Sequence, residues 1–268
     1  MPRFVYRVYE RRRLAAFLAP PARLPRHIGV ILDGNRRWAK SFGEPAATGH
    51  RRGADKIVEF LGWAEEWGPQ ARVGAGAAAR LGGIEVVTLW MLSTDNLSRE
   101  SAELDDLMSI ISDTVQELAA DGRWRLRIVG RLELLPAALA ASLKAAAART
   151  ESVAGLEVNI AVGYGGRDEI ADAVREYLTE RAAAGDTLAE VAASIDTADI
   201  AAHLYTAGQP DPELVIRTSG EQRIGGFLMW QAAHSELYFC EVFWPDFRRV
   251  DFLRALRDFT RRERRLGR

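Results

Sequence analysis

The chain has 268 residues, 48% of them hydrophobic and 27% charged. That balance belongs to an ordinary globular protein and excludes a mostly disordered chain, which lacks the apolar content to offset its ordering entropy. The net charge of −1 conceals basic ends on an acidic body: residues 1–26 carry seven Arg against one Glu, and residues 248–268 carry nine Arg against three acids.

No run of about 18 apolar residues reads as a spanning helix. The N-terminus MPRFVYRVYERRR lacks the apolar core and small-residue cleavage site of a signal peptide. The one cysteine, Cys240, excludes a disulfide scaffold and a cysteine-based zinc site and fits a reducing, cytoplasmic setting. Residues 1–26 read as a basic helical segment, with Phe4, Val8 and Leu14 apolar among arginines. Such a segment either packs on its own domain or rests at the inner face of the cell membrane. No nucleic-acid partner is expected.

Residues 27–268 read as one α/β domain. HIGVIL (His27–Leu32) is a buried strand. From His50 to Trp67 apolar residues recur at helical spacing: Ile57, Phe60, Leu61 and Ala64. Residues 69–83, PQARVGAGAAARLGG, have no strong period and read as an inserted loop. IEVVTLWM (Ile84–Met91) is a strand, and Ser101 opens a helix to about Ala120 with Leu104, Leu107, Met108 and Ile111 on one face. LRIVG (Leu126–Gly130) is a strand, and Pro136 starts an Ala-rich helix. LEVNIAV (Leu156–Val162) is a strand followed by a helix over Arg167–Arg181. LVIR (Leu214–Arg217), FLMW (Phe227–Trp230) and LYFCEVF (Leu237–Phe243) are strand-like, and Val250–Arg265 closes the chain as a helix. The β-then-α order predicts a parallel sheet with helices on both faces.

Ligands of such sheets bind beyond the carboxyl ends of the strands. Polar, Gly-bearing segments follow four strands here: Asp33-Gly34-Asn35-Arg36-Arg37-Trp38, Ser93-Thr94-Asp95-Asn96, Gly163-Tyr164-Gly165-Gly166-Arg167 and Thr218-Ser219-Gly220-Glu221-Gln222-Arg223. In the first, Gly34 lets backbone approach an anion and Arg37 offers a planar fork to phosphate. A carboxylate among phosphate donors points to an intervening cation, so Asp33 is a candidate Mg²⁺ ligand; its alternative is a helix N-cap. His50, at a helix start, and Arg217 and Arg223 fit further phosphate contacts, whereas internal ion pairs from Arg217 and Arg223 to Glu213 or Glu221 are the alternative. Asn96 either orients a substrate or caps the Ser101 helix. Glu236, among apolar neighbours, needs a hydrogen bond, an arginine or a metal. No lysine-bearing P-loop, Ser-His-Asp order or HExxH is present.

The segments HIGVILDGNRRWAK, GHRRGADK, STDNLSRE, VNIAVGYGGRDEI, LVIRTSGEQRIGGFLMWQ and SELYFCEVFWPDF resemble, in order, the signature regions of the cis-prenyltransferase (undecaprenyl diphosphate synthase) family. FVYRVYERR and TAGQPDPELVIRTSGEQR are most similar to the actinobacterial short-chain members, which include Z,E-farnesyl diphosphate synthases. The resemblance implies a single domain with a mostly parallel six-stranded sheet, working as a homodimer. It implies Mg²⁺-dependent condensation of isopentenyl diphosphate with an allylic diphosphate, such as geranyl diphosphate, to a short Z-prenyl diphosphate. Carried over by position, Asp33 would bind Mg²⁺, and Gly34, Asn35, Arg37 and His50 would hold the allylic diphosphate, with Arg36 and Trp38 beside them. Ser93 and Asn96 would lie over the reacting carbons with Thr94 and Asp95, and Asn96 would take the proton. Arg99 would support a polar network on the dimer side. Arg217, Ser219 and Arg223 would bind isopentenyl diphosphate, and Glu236 would complete its Mg²⁺ site across the dimer interface.

The chain departs from the family pattern at Ala46 (usually Arg), Arg36 (commonly Gly), Leu97 (often Trp), Gly225 (often Ser) and Asp95 (usually Glu). Bulk at Met91 and Leu92, where long-chain members carry a small residue at the first position, predicts early termination of the product. The competing readings are a long-chain synthase, a non-catalytic subunit of a heteromeric prenyltransferase, and a magnesium-dependent hydrolase.

Overall fold

Five consecutive buried residues, His27–Ile31, form strand β1 at the middle of a parallel sheet. The computed structural model describes residues 23–69, 83–98 and 101–261. Residues 1–22 of the expected N-terminal basic segment, nearly all of the insertion, and Arg99 lie outside the described residues, and Arg23–Arg26 of that segment are not helical. The remaining strands are β2 (Val86–Ser93), β3 (Arg125–Val129), β4 (Glu157–Tyr164), β5 (Leu214–Arg217) and β6 (Glu236–Phe239). Their order is β3-β4-β2-β1-β5-β6, and every neighbouring pair is parallel. Parallel strands covered on both faces are apolar throughout, and alternate residues of one strand enter opposite cores. Thus Val30, Ile160 and Ile216 join one apolar cluster, while Ile31, Ala161 and Val215 join a second with Tyr164, Phe227 and Leu228.

The helices are α1 (Asn35–Ser41), α2 (Ala46–Glu65), α3 (Ser101–Asp121), α4 (Ala137–Thr150), α5 (Gly166–Ala184), α6 (Leu188–Ser194), α7 (Thr197–Ala202) and α8 (Arg249–Arg261). Helix α2 buries Ile57, Phe60, Leu61 and Ala64, the stripe read from its periodicity. Phe60 meets Trp244, Phe247 and Phe252 with ring centroids 5.7, 6.2 and 5.1 Å away, which ties α8 and the segment before it to α2. Pro136 is the N-cap of α4 rather than its first helical residue.

Four elements differ from the sequence reading. FLMW is not a strand: Gly225, Gly226 and Leu228 all have positive φ, which breaks any ladder. Phe227 and Leu228 are fully buried because they cover the sheet, not because they extend it. The ladder of LYFCEVF stops at Phe239, after which the chain returns across β1, with the Trp244 amide donating to the Asp33 carbonyl. Finally, α6 and α7 stand where apolar periodicity is weak. Each is fixed instead by a capping box, Thr187 with Glu190 and Asp196 with Asp199.

Candidate functional site

Strands β1 and β5 are neighbours, but the chain leaves β1 toward β2 and leaves β5 toward β6. The crevice at their carboxyl ends is therefore a switch point, where an open parallel sheet accepts ligands. Asp33 and Arg217 meet there. The Asp33 amide donates to Thr218 Oγ1 at 3.0 Å, and the same hydroxyl donates to the Asp33 carbonyl at 2.7 Å, so β5 fixes the backbone that follows β1. Arg217 Nη2 donates to Asp33 Oδ2 at 2.8 Å and Nη1 to the Arg223 carbonyl at 2.6 Å. Arg37 reaches Asp33 Oδ1 at 3.4 Å, Ser219 Oγ at 2.6 Å and Glu221 Oε1 at 3.2 Å, and Arg223 pairs with the far oxygen of Glu221. Of the internal ion pairs read as the alternative, Arg223–Glu221 forms, whereas Arg217 pairs with Asp33 rather than with Glu213 or Glu221. Burial opposes ionisation of Asp33, but hydrogen bonding and charge from Arg217, joined by Ser219 and Arg37, outweigh it and hold the carboxyl below its ordinary value.

Asp33 caps no helix. The N-cap of α1 is Gly34, with φ +105°, and a Cβ there would stand 2.7 Å from Phe243 Cδ1. Only glycine suits both the backbone and the contact. Asn35 is seated by glycines of α2: a Cβ on Gly49 would lie 2.1 Å from the Asn35 carbonyl oxygen, and one on Gly53 2.5 Å from its Oδ1. The Asn35 carboxamide donates to the Leu32 carbonyl at 3.3 Å, and Oδ1 is buried with no hydrogen-bond partner among the described residues.

These groups border a cavity of about 630 Å³. Arg36, Arg37, Lys40, His50, Arg217 and Arg223 bring it basic side chains, and Ala54, Ile57, Leu107, Ile110, Ile111 and Trp244 bring it an apolar wall from α2, α3 and the Trp244 turn. Met91 lines it, but Leu92 does not and is buried in the core. Of the loop after β2, Ser93, Asp95 and Asn96 line the cavity. Ser93 is the last residue of the strand, and its Oγ accepts from the Asn96 amide at 3.1 Å. His50 lies one turn into α2, nearly buried, with Nε2 3.8 Å from Glu103 Oε1; Arg36 reaches the same oxygen at 3.7 Å.

Three candidates stand away from the cavity wall. Thr94 turns to Asp168, Trp38 packs on Phe42 with centroids 4.9 Å apart, and Ser219 serves as an acceptor for Arg37. Glu236 departs further: it starts β6, in register with Leu214, at the amino end of the sheet. Three residues separate that level from Arg217, a span of about 10 Å. Within one chain Glu236 therefore does not share a site with Asp33. Lys40, the seat formed by the glycines of α2 and the α3 wall are additional to the sequence reading, and Thr218 and Glu221, within the segment read after β5, gain specific contacts to Asp33, Arg37 and Arg223. Only the Gly49-x-x-x-Gly53 spacing hinted at a seat for another segment.

The arrangement suits a diphosphate ester with an apolar tail. Basic forks face acid oxygens, and the tail has a dry wall. Among the described residues no group of three or more His, Cys, Asp or Glu side chains is placed to hold a metal alone. Asp33 is a hard carboxylate among phosphate-binding cations, the donor set of a Mg²⁺ ion that completes its shell with substrate phosphates and water. The residues present fit such an ion.

Comparison with known proteins agrees. Residues 31–267 match the prenyltransferase family model described as "Putative undecaprenyl diphosphate synthase". The (2Z,6E)-farnesyl diphosphate synthase of Thermobifida fusca is 56% identical over 264 residues, covering 98% of this chain and 97% of its own. Isoprenyl transferase 1 of Streptomyces avermitilis is 55% identical over 91% of this chain and 89% of its own. The short-chain Z-isoprenyl diphosphate synthase of Mycobacterium leprae is 49% identical over 98% and 95%. Among solved structures, lavandulyl diphosphate synthase from Lavandula x intermedia, in complex with dimethylallyl diphosphate, is similar with a TM-score of 0.79 and 32% identity, covering 91% of this chain and 99% of that one. With its parallel sheet, its arginine-flanked Asp33 and these relatives, the chain belongs to the undecaprenyl diphosphate synthase family of prenyltransferases.

Proposed function

We propose that this enzyme condenses one isopentenyl diphosphate with a short allylic diphosphate, geranyl diphosphate first among them, to a Z,E-farnesyl-length product. The observation that carries this reading is the cluster of Asp33, Arg37, Arg217 and Arg223 at the β1–β5 crevice, opening on an apolar cavity. Ionising an allylic C–O bond leaves a diphosphate and a delocalised cation. Arg36, Arg37 and His50 stabilise the leaving group where its charge develops. Asp33 would hold a Mg²⁺ ion, which when bound would supply Lewis-acid neutralisation of the departing charge. Arg217 and Arg223 hold the second diphosphate, so that its alkene lies over the cation, which turns a bimolecular step into an oriented one. The alkene carbon bonds to the allylic carbon, and the new cation loses a proton. A weak acceptor suffices because that proton is very acidic, so the Asn96 carboxamide or a diphosphate oxygen takes it. Met91, on the cavity wall, limits the tail; Leu92 is left out of that role. A homodimer is the assembly that would give Glu236 a share in a second Mg²⁺ site. The active chain is expected in the cytoplasm, at most peripheral to the membrane.

The test is product analysis with geranyl diphosphate, labelled isopentenyl diphosphate and Mg²⁺. A single product of farnesyl length is expected, and a ladder of long polyprenyl products overturns the short-chain reading. Asp33→Ala should lower turnover at least about a hundredfold, which a non-catalytic subunit would not show. Met91→Ala should lengthen the product. Phosphate release without a carbon–carbon bond would identify a hydrolase instead.

A further inference from the structure

Thr94 stands in the middle of the loop that brings Ser93 and Asn96 to the cavity, yet its side chain points the other way. Its hydroxyl donates to Asp168 Oδ2 at 3.0 Å, and its amide donates to the Tyr164 carbonyl at 3.1 Å. The other oxygen of Asp168 meets Arg131 Nη1 at 3.0 Å. Arg131 is itself fixed, because its Nε and Nη2 each reach an oxygen of Asp172 at 2.7 Å. A bidentate guanidinium–carboxylate pair is among the best-oriented polar contacts a protein makes. Space is kept for the hydroxyl contact: a Cβ on Gly165 would stand 2.6 Å from Thr94 Oγ1 and 2.7 Å from Asp168 Oδ2. On the cavity side of the same turn, the Asn96 amide donates to Ser93 Oγ, and the Leu97 amide donates to the Thr94 carbonyl, each at 3.1 Å.

We infer that Arg131, Asp168 and Thr94 form a positioning relay that holds the Ser93–Asn96 turn at the carboxyl ends of β2 and β4. None of the three lines the cavity, so none acts on substrate directly. The relay acts through Asn96, whose carboxamide must meet the reacting carbons within a few tenths of an ångström for an oriented step to proceed. This rests on the reading of Asn96 given above. Leu97 packs against the main apolar core, and Ser98 Oγ donates to the Asp95 carbonyl within the loop. Among the described residues, the Thr94 hydroxyl is the side-chain hydrogen bond that ties the turn to α5. Releasing Thr94 therefore frees the turn without disturbing the arginines that hold the diphosphates. Turnover should fall, and substrate affinity should not.

The experiment compares Thr94→Val, Thr94→Ser and Asp168→Ala with the parent enzyme. It reads kcat, KM for both diphosphates, the thermal midpoint, and hydrogen–deuterium exchange at the 93–98 amides. Thr94→Val and Asp168→Ala should lower kcat about tenfold, keep each KM within about twofold and speed exchange in the turn about tenfold, while Thr94→Ser restores parent values. A raised KM with unchanged kcat, a serine variant as poor as valine, or unaltered exchange overturns the relay. If the parent makes no prenyl product, the proposed function fails by itself, and the exchange comparison still decides the relay.

Discussion

Ser219 adopts φ +78°, one of only two left-handed non-glycine residues among those described. An L-residue there carries about 1–2 kcal/mol of strain, and its neighbours use the backbone amides: Ser219 donates to the Val242 carbonyl and Gly220 to that of Cys240. What the serine gives in return is an acceptor 2.6 Å from Arg37 Nη2. Ser219→Gly should thus separate stability from binding. Thermal unfolding should show no loss, or a gain of up to about 1 kcal/mol after glycine's own unfolded-state entropy is set against the relieved strain. Steady-state kinetics should show KM for a diphosphate substrate raised several-fold, because Arg37 loses the group that orients it. A less stable variant with unchanged KM would contradict this account.

At the scale of elements, the site depends on how closely α1 meets α2. Gly49 and Gly53 leave a groove in α2 that admits the backbone and side chain of Asn35, and the Gly53 carbonyl also accepts from Trp244 Nε1 at 2.8 Å. Gly53→Ala would add helix propensity worth about 1 kcal/mol, but its methyl would sit 2.5 Å from Asn35 Oδ1, too close to keep. The carboxamide must move, so net destabilisation of about 1–3 kcal/mol is expected, with weaker diphosphate binding, read from denaturant titration and from KM. Helix α5 is secured in a different way. Its fully buried Glu169 accepts from Tyr164 Oη, the Tyr205 amide and Gln231 Nε2, binding the first turn to the segment after Arg223. Burial pushes its carboxyl up, with those three donors opposing.

Across the whole molecule, the polar chemistry divides between the two ends of the sheet. The carboxyl end carries the arginine-rich cavity. Toward the amino end lies a buried hydrogen-bonded row. His27 meets the Pro210 carbonyl through Nδ1 and Thr88 Oγ1 through Nε2, both at 2.7 Å, and Asn159 Nδ2 donates to the same hydroxyl at 2.9 Å. Burial pushes His27 down to about 4 from its ordinary 6.5, with the Pro210 carbonyl opposing. The unfolded imidazole takes a proton near 6.5 and the folded one only near 4, so the unfolded state binds more protons between those values. Stability contributed by neutral His27 is complete above about pH 6.5 and is lost as pH falls toward 4, by about 3 kcal/mol in all. Unfolding free energies of the parent and His27→Gln across that range should diverge at neutral pH and converge in acid. Parallel curves would remove His27 as the cause.

The amino-acid sequence by itself determined the strands and long helices of the sheet, because apolar runs and 3.6-residue stripes are local signals of burial. It determined as well that the acids, glycines and arginines after four strands share one end, since parallel strands put their carboxyl ends together. FLMW misled because burial on a sheet face and burial within a strand leave the same composition. Short α6 and α7 were legible only through their caps. The tertiary structure alone decided which of those groups meet. Asp33 and Arg217 pair because β1 and β5 are adjacent, and nothing in the chain between these residues, 184 positions apart, states that adjacency. By the same physics Thr94, one residue from Ser93, turns out of the cavity, and Glu236 sits at the far end of its strand. Side-chain direction and strand register are settled by packing over the whole sheet, where a shift of one residue reverses every face.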